Sequence, residues 1–196
     1  MKFFKIFVVI SIFTILFNCD KIKNAKNKLN PAGPYKEAGI DPFYWEAIDN
    51  DKYYIPLVKP LRLIKWKGTD QWILDTSIIG WKYGDMGPIA VINAKDVYVY
   101  GLQDVTYDEE NNKTSSSFFF IINVISKEIN TYDYDNQRKV FEEDIRKLGL
   151  PETYFEPHNV YVEYERYPDL EWFPDNVKNQ LNKVKVLYQR EIFNNR

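Results

Sequence analysis

The chain is poor in the side chains that carry most protein chemistry. It has one cysteine, Cys19, and one histidine, His158. A single cysteine closes no intrachain disulfide and builds no multi-cysteine zinc site, and a single histidine excludes the common His-rich zinc sets. Its 8 glycines form neither a Gly-x-Gly-x-x-Gly run nor a Walker pattern, so no phosphate-cradling loop is expected. A basic surplus is also missing: 26 Lys and Arg stand against 28 Asp and Glu, a net charge of -2. That balance excludes a general nucleic-acid binder, which needs a positive stripe or face to meet the phosphate backbone. No apolar run reaches the roughly 20 residues a membrane-spanning helix requires.

The apolar run that is present lies at the start. Lys2 and Lys5 precede an almost unbroken apolar stretch from Ile6 to Phe17, which ends in Leu16-Phe17-Asn18-Cys19. A short positive region, a short apolar core and a processing site make a secretory signal, too short for a transmembrane anchor. The layout resembles the bacterial lipoprotein signal peptide, in which a leucine-like residue stands three positions before a cysteine. The resemblance covers residues 1–19 and implies cleavage before Cys19, a diacylglyceride thioether on its sulfur and acylation of the new N-terminus. An ordinary secretory signal, or a cysteine there by accident, is the plainer alternative. Two or three acyl chains would anchor stably where one would not. The expected home is the bacterial cell envelope; the signal does not choose between inner and outer membrane. No other cofactor is expected.

Cleavage would leave 196 − 18 = 178 residues and, with Lys2 and Lys5 gone, 24 basic residues against 28 acidic ones. A chain of that size can bury roughly 70% of its unfolded surface, enough for one domain without disulfides. Residues 20–30 hold Lys21, Lys23, Lys26 and Lys28 with little apolar content. They read as a tether, with an electrostatic contact to anionic headgroups as the sharper alternative. Pro31-Ala-Gly-Pro34 closes it. The expected division is a signal over 1–18, a lipidated tether over 19–34 and one globular domain over 35–196.

Inside that domain 13 Phe, 15 Tyr and 5 Trp favour half-buried β surfaces. Phe43 to Ile48 and Tyr53 to Val58 suggest a hairpin around Asn50-Asp51; a short helix capped by Asp41 with Pro42 at its first position is the alternative. Residues 61–66 alternate, and Pro56 and Pro60 mark that segment as an edge strand or a bend. Gln71 to Leu74, Ile89 to Asn93 and Val97 to Tyr100 read as further strands, and Phe118 to Ile125 as the central strand buried on both faces. Lys127 to Tyr132 pairs with it. Val140, Phe141, Ile145 and Leu148 then recur at helical spacing, with Asp135 as N-cap and Gly149 as stop, a helix over 135–148. Val177, Leu181, Val184 and Tyr188 predict a second amphipathic helix over 175–190, opened by Pro174-Asp175. Val160 to Tyr164 adds a late strand. The sum is an α+β fold: a mostly antiparallel sheet with two helices packed on it.

Candidate chemistry is thin. His158 sits beside Pro157 in an expected loop, where an exposed role is commoner than a catalytic one. No serine lies in a Gly-x-Ser-x-Gly elbow. The acidic loop at 108–114 lacks the spacing of a calcium loop. Two segments stand out. Gly80 to Pro88 packs three glycines with Trp81, Tyr83 and Asp85 into nine residues, the composition of a binding loop or a sugar-stacking platform, since rigid rings give contact area at low entropic cost; a structural connection with Trp81 folded inward is the plainer reading. Tyr161 to Trp172 sets Glu163, Glu165, Asp169 and Glu171 among Tyr161, Tyr164, Tyr167 and Trp172. Carboxylates beside rings suit a protein-binding rim or, as a pair, a glycosidase; an ordinary solvated face is the plainer reading.

Tyr54-Ile-Pro-Leu-Val-Lys-Pro60, the apolar strand at 118–125 and the stretch from Asp135 to Leu150 ending Lys147-Leu-Gly-Leu150 together resemble small bacterial proteins without assigned activity, some of them thought to be immunity proteins. The resemblance implies a non-catalytic, protein-binding role and assigns none to single residues. The expectation is therefore an envelope lipoprotein with no catalytic or metal residues, reaching the membrane through its lipid and working on a protein partner. Glycan binding through the loop rings is the first alternative, and a carboxylate hydrolase the second.

Overall fold

The computed structural model describes residues 32–46, 50–107, 113–166 and 168–194. Cys19 and most of the tether, the acidic tip at 108–112 and Tyr167 lie outside them. The chain divides into two units, Met1–Ile40 and Asp41–Arg196. The described part of the first holds a six-residue helix, α1 (Ala32–Glu37), which takes in the Ala-Gly-Pro expected to close the tether.

The second unit is α+β: two antiparallel sheets of three and four strands with three longer helices packed against them. It opens with a 3₁₀ turn at Pro42–Tyr44, not the strand expected from Phe43. Asp41 decides this by accepting the Phe43 N–H at 3.0 Å on its side chain, and Pro42 fixes φ for the first helical position. The first sheet runs β1 (Lys52–Pro56), β2 (Arg62–Trp66), β3 (Ile73–Leu74), in that order. The proline constraint falls on β1, which Pro56 ends and which forms the edge; β2, expected as an edge, is the middle strand. Pro60 lies in the tight connection, where Leu61 N–H donates to Val58 O.

The second sheet is built from two hairpins. β4 (Ile89–Lys95) turns into β5 (Tyr98–Gln103) at Asp96, which takes φ 55°. A two-stranded ribbon, β6 (Thr106–Tyr107) with β7 (Lys113–Ser115), leads to β8 (Phe118–Asn123), and β9 (Glu128–Asp133) completes the order β4-β5-β8-β9. β8 is internal and buried on both faces, with Phe119 and Ile121 on one side and Phe120 and Ile122 on the other, as its apolar run predicts, but it ends at Asn123, and Ile125, expected within it, is exposed.

Helix α2 (Arg138–Lys147) covers one face of this sheet. Phe141 and Ile145 enter a core with Tyr100, Phe119, Ile121, Tyr132 and Leu150, and Phe141 stacks on Phe119 at 4.6 Å. Val140 and Leu148, expected on the core side, are exposed: Val140 is one residue from Phe141 and so about 100° around the helix, and Leu148, although on the stripe of Phe141 and Ile145, is the C-cap residue beyond the last helical turn. Asp135 is not the cap. The helix begins two residues later than that would require, and Asp133 Oδ1 instead accepts the N–H groups of Asp135 and Asn136. Gly149, at φ 65°, stops the helix, with its own N–H donating to Arg146 O and that of Leu150 to Ile145 O, a left-handed C-terminal cap.

Val160 to Tyr164 forms no strand. It belongs to α3 (Pro157–Arg166), which packs on β1 and β4. Its β-branched and aromatic residues suit either structure locally, but Val160 is buried while Tyr161 and Tyr164 are half-buried, a helical stripe that the sheet beneath it selects. Tyr161 lies 5.1 Å from Tyr53 and 5.4 Å from Trp72. α4 (Asp175–Asn194) starts at Asp175 as expected and buries Val177, Leu181 and Val184; the Tyr188 side chain is outside the described residues. Among its described residues the unit thus carries three helices of ten residues or more, one more than expected.

Candidate functional site: an aromatic cleft at the end of the larger sheet

The segment between β3 and β4 is a closed loop. Leu74 and Met86 exchange backbone hydrogen bonds in both directions, at 2.7 and 2.9 Å. The ends of the segment therefore meet, and its own groups fill the interior. Thr76 is fully buried there: its Oγ1 donates to Gly84 O at 2.5 Å, and its carbonyl accepts the N–H groups of Ile79 and Trp81. Gly80 and Gly84 both adopt φ above 80°, which side chains rarely tolerate. These two glycines hold the loop in one shape. Gly87 is needed for a different reason: a Cβ there would sit 2.6 Å from Ile73 Cγ2.

This loop stands against one end of the four-stranded sheet. Gln103, Phe118 and Asp133 lie side by side across β5, β8 and β9. Gly87 N–H donates to Gln103 Oε1 at 3.0 Å, and Asp104 N–H to Pro88 O at 2.8 Å. Loop, sheet end and the start of α2 enclose a cleft of about 640 Å³, within the ~300–1,000 Å³ of small-molecule sites. Trp81 and Tyr83 form one wall, edge to face at 6.0 Å and 62°. Tyr83 is 74% exposed and carries the Lys82 ammonium 4.6 Å from its ring centre. Met86 and Phe118 are the apolar floor, and Gln103, Gln137, Ser116, Ser117 and Thr131 supply amides and hydroxyls.

Two carboxylates reach the cleft, Asp85 and Asp133. Partial burial, then the neighbouring Asp75 carboxylate, raise Asp85 above its ordinary value, opposed by hydrogen bonds from Ser77. Asp133 Oδ1 accepts three N–H donors, from the Asp135 and Asn136 backbone and the Asn136 side chain. Gln137 Oε1 takes the Asp133 N–H at 2.9 Å, so its amide nitrogen is the end that can donate to a ligand.

The structure thus brings Trp81, Tyr83 and Asp85 into one site. It does not do so for the second segment. Glu163 and Glu165, neighbours on one face of the expected strand, point away from each other on a helix. Each meets a side chain of its own helix: Arg166 Nη1 lies 3.4 Å from Glu163 Oε1, and Tyr161 donates to Glu165. Trp172 is buried and donates its indole N–H to Pro56 O at 2.9 Å, a packing role. His158 is exposed on α3 and is not among the residues lining the cleft. Gln103, Phe118, Thr131, Asp133 and Gln137 carry no motif that marks them; only the strand register places them opposite the loop. Comparison of the chain with protein-family models, with curated proteins and with solved structures gives no match.

Proposed function

We propose that this chain is a lipid-anchored binding protein of the bacterial cell envelope, with the cleft behind Trp81 and Tyr83 as its working surface and no turnover of what it binds. One observation carries the reading: a loop with paired rings, Trp81 half-buried and Tyr83 exposed, is locked by internal hydrogen bonds over a cleft lined with amides, hydroxyls and carboxylates. A shape held before the ligand arrives loses little entropy on binding. The signal ending at Cys19 supports the location and the covalent lipid. Among the described residues lining the cleft no histidine stands beside Ser116 or Ser117, which supports binding over a serine–histidine nucleophile.

A protein partner meeting the same loop is the second reading, favoured by the exposure of Ile78 and Tyr83 in one loop, since exposed apolar groups on a loop suit a protein contact. The experiment is a crosslinked pull-down from membranes with the full-length lipidated protein as bait, beside Trp81→Ala and Tyr83→Ala. Capture that depends on both rings supports the cleft. Capture unchanged in both variants, or turnover of a substrate by the purified protein, overturns the proposal.

A further inference from the structure

We infer that the cleft binds a saccharide, and one whose rings carry no negative charge; this rests on the reading of the cleft as the binding surface. A sugar ring has two chemistries, a C–H face that packs on aromatic rings and an edge of hydroxyls that both donate and accept. The cleft offers both within about 640 Å³. Trp81 and Tyr83 meet at 62°, so they form a corner, which holds a puckered ring on two sides. The lining also includes Gln137, which brings a planar amide, and Asp85 and Asp133, which bring acceptors.

The charge of the lining decides which sugars fit. Among the described residues it contains two carboxylates and neither lysine nor arginine. A phosphate or uronate would lose its hydration and meet like charge, a repulsive selection against acidic glycans and nucleotides. The neighbouring cation, Lys82, is placed over the Tyr83 ring. A hydroxyl or an amino group meets acceptors it can satisfy, so neutral sugars and hexosamines are admitted.

The test uses the full-length protein in detergent micelles, titrated by calorimetry and tryptophan fluorescence. The probes are an N-acetylated chito-oligosaccharide, its deacetylated form, a neutral β-glucan oligosaccharide and an oligogalacturonate. We expect saturable binding of at least one of the first three, about tenfold or more tighter than the galacturonate. Trp81→Ala and Tyr83→Ala should each weaken it about tenfold; the Tyr83 side chain is so exposed that its loss leaves folding intact, checked by thermal melting. Galacturonate binding as tightly as the others overturns the charge selection. No saturable binding by any of the three overturns the saccharide, and leaves the cleft reading standing if the pull-down still depends on the two rings. Sugar binding indifferent to both substitutions overturns the cleft itself.

Discussion

The backbone N–H of Gly87 donates to the buried side-chain oxygen of Gln103 at 3.0 Å. This bond ties the end of the Trp81 loop to the last residue of β5, so one interior amide sets the distance between the aromatic wall and the sheet end. Gln103→Leu keeps the volume and removes the acceptor, leaving the Gly87 N–H without it. The expected cost is about 1–3 kcal/mol, read as a lower urea midpoint, together with weaker ligand capture. An unchanged midpoint would show that the loop is held by its internal bonds alone.

Gly101 pairs with Ile92, next to the register slip of β4 on β5 between Ile89 and Val91, and a Cβ at this position would meet Val91 O at 2.1 Å. The contact is with backbone, which cannot swing aside. Gly101→Ala should therefore destabilise by about 1–3 kcal/mol or more, seen as a fall in melting temperature. A melt equal to wild type would mean the bulge relaxes freely.

Tyr132 Oη donates to Asp144 Oδ2 at 2.9 Å. Burial, then this bond, push the phenol up to about 12, and burial followed by Glu152 and Glu142 pushes Tyr154 up to about 12. An unfolded tyrosine titrates near ~10. A raised folded pKa gives stability that is complete below the unfolded value and lost as pH rises through the folded one. Stability should thus drop between about pH 10 and 12. Asp144 behaves oppositely: Lys147 first, then Tyr132, hold it below its ordinary value, so its contribution is present above ~3.9 and lost as pH falls through the lowered value. Phenolate absorbance and urea midpoints check both limbs. Tyr132→Phe should flatten the alkaline limb; an unaltered limb sinks the assignment.

Arg62 is buried with little to bind. Its Nη2 donates to Phe43 O at 3.2 Å, its guanidinium lies 4.6 Å from the Phe43 ring, and Nη1 has no hydrogen-bond partner among the described residues. Burial lowers its pKa. Replacing a poorly paired buried charge by an apolar side chain of similar length is often neutral or stabilising. Arg62→Met should stay within about 1 kcal/mol of wild type, while Arg62→Ala, which also opens a cavity, should cost about 2 kcal/mol or more. A large loss in the methionine variant would show that the charge itself is needed.

Cys19→Ser removes the only thiol in the chain. If the sulfur carries the lipid, the variant loses acyl labelling and moves from the detergent phase to the aqueous phase on phase separation. Detergent-phase partition in both proteins would overturn lipidation.

Local rules made part of this protein legible from its sequence. The apolar run at β8, the glycine stop at Gly149 and the spacing of Val177, Leu181 and Val184 each act over a few residues, so each survives reading without the fold. Trp81, Tyr83 and Asp85 could be singled out for the same reason, as rings and an acid crowded among glycines. Tertiary contact decided the rest. Val160 to Tyr164 satisfies strand and helix alike until the first sheet lies beneath it, and α3 then disperses Glu163 and Glu165, which a strand would have paired. The far wall of the cleft was hidden for a related reason: Gln103, Phe118 and Asp133 are distant in sequence and ordinary in type, and only antiparallel register sets them in one row. The chain's own pattern determined which elements form; long-range pairing determined which side chains meet, because contact across strands depends on register and no local preference encodes it.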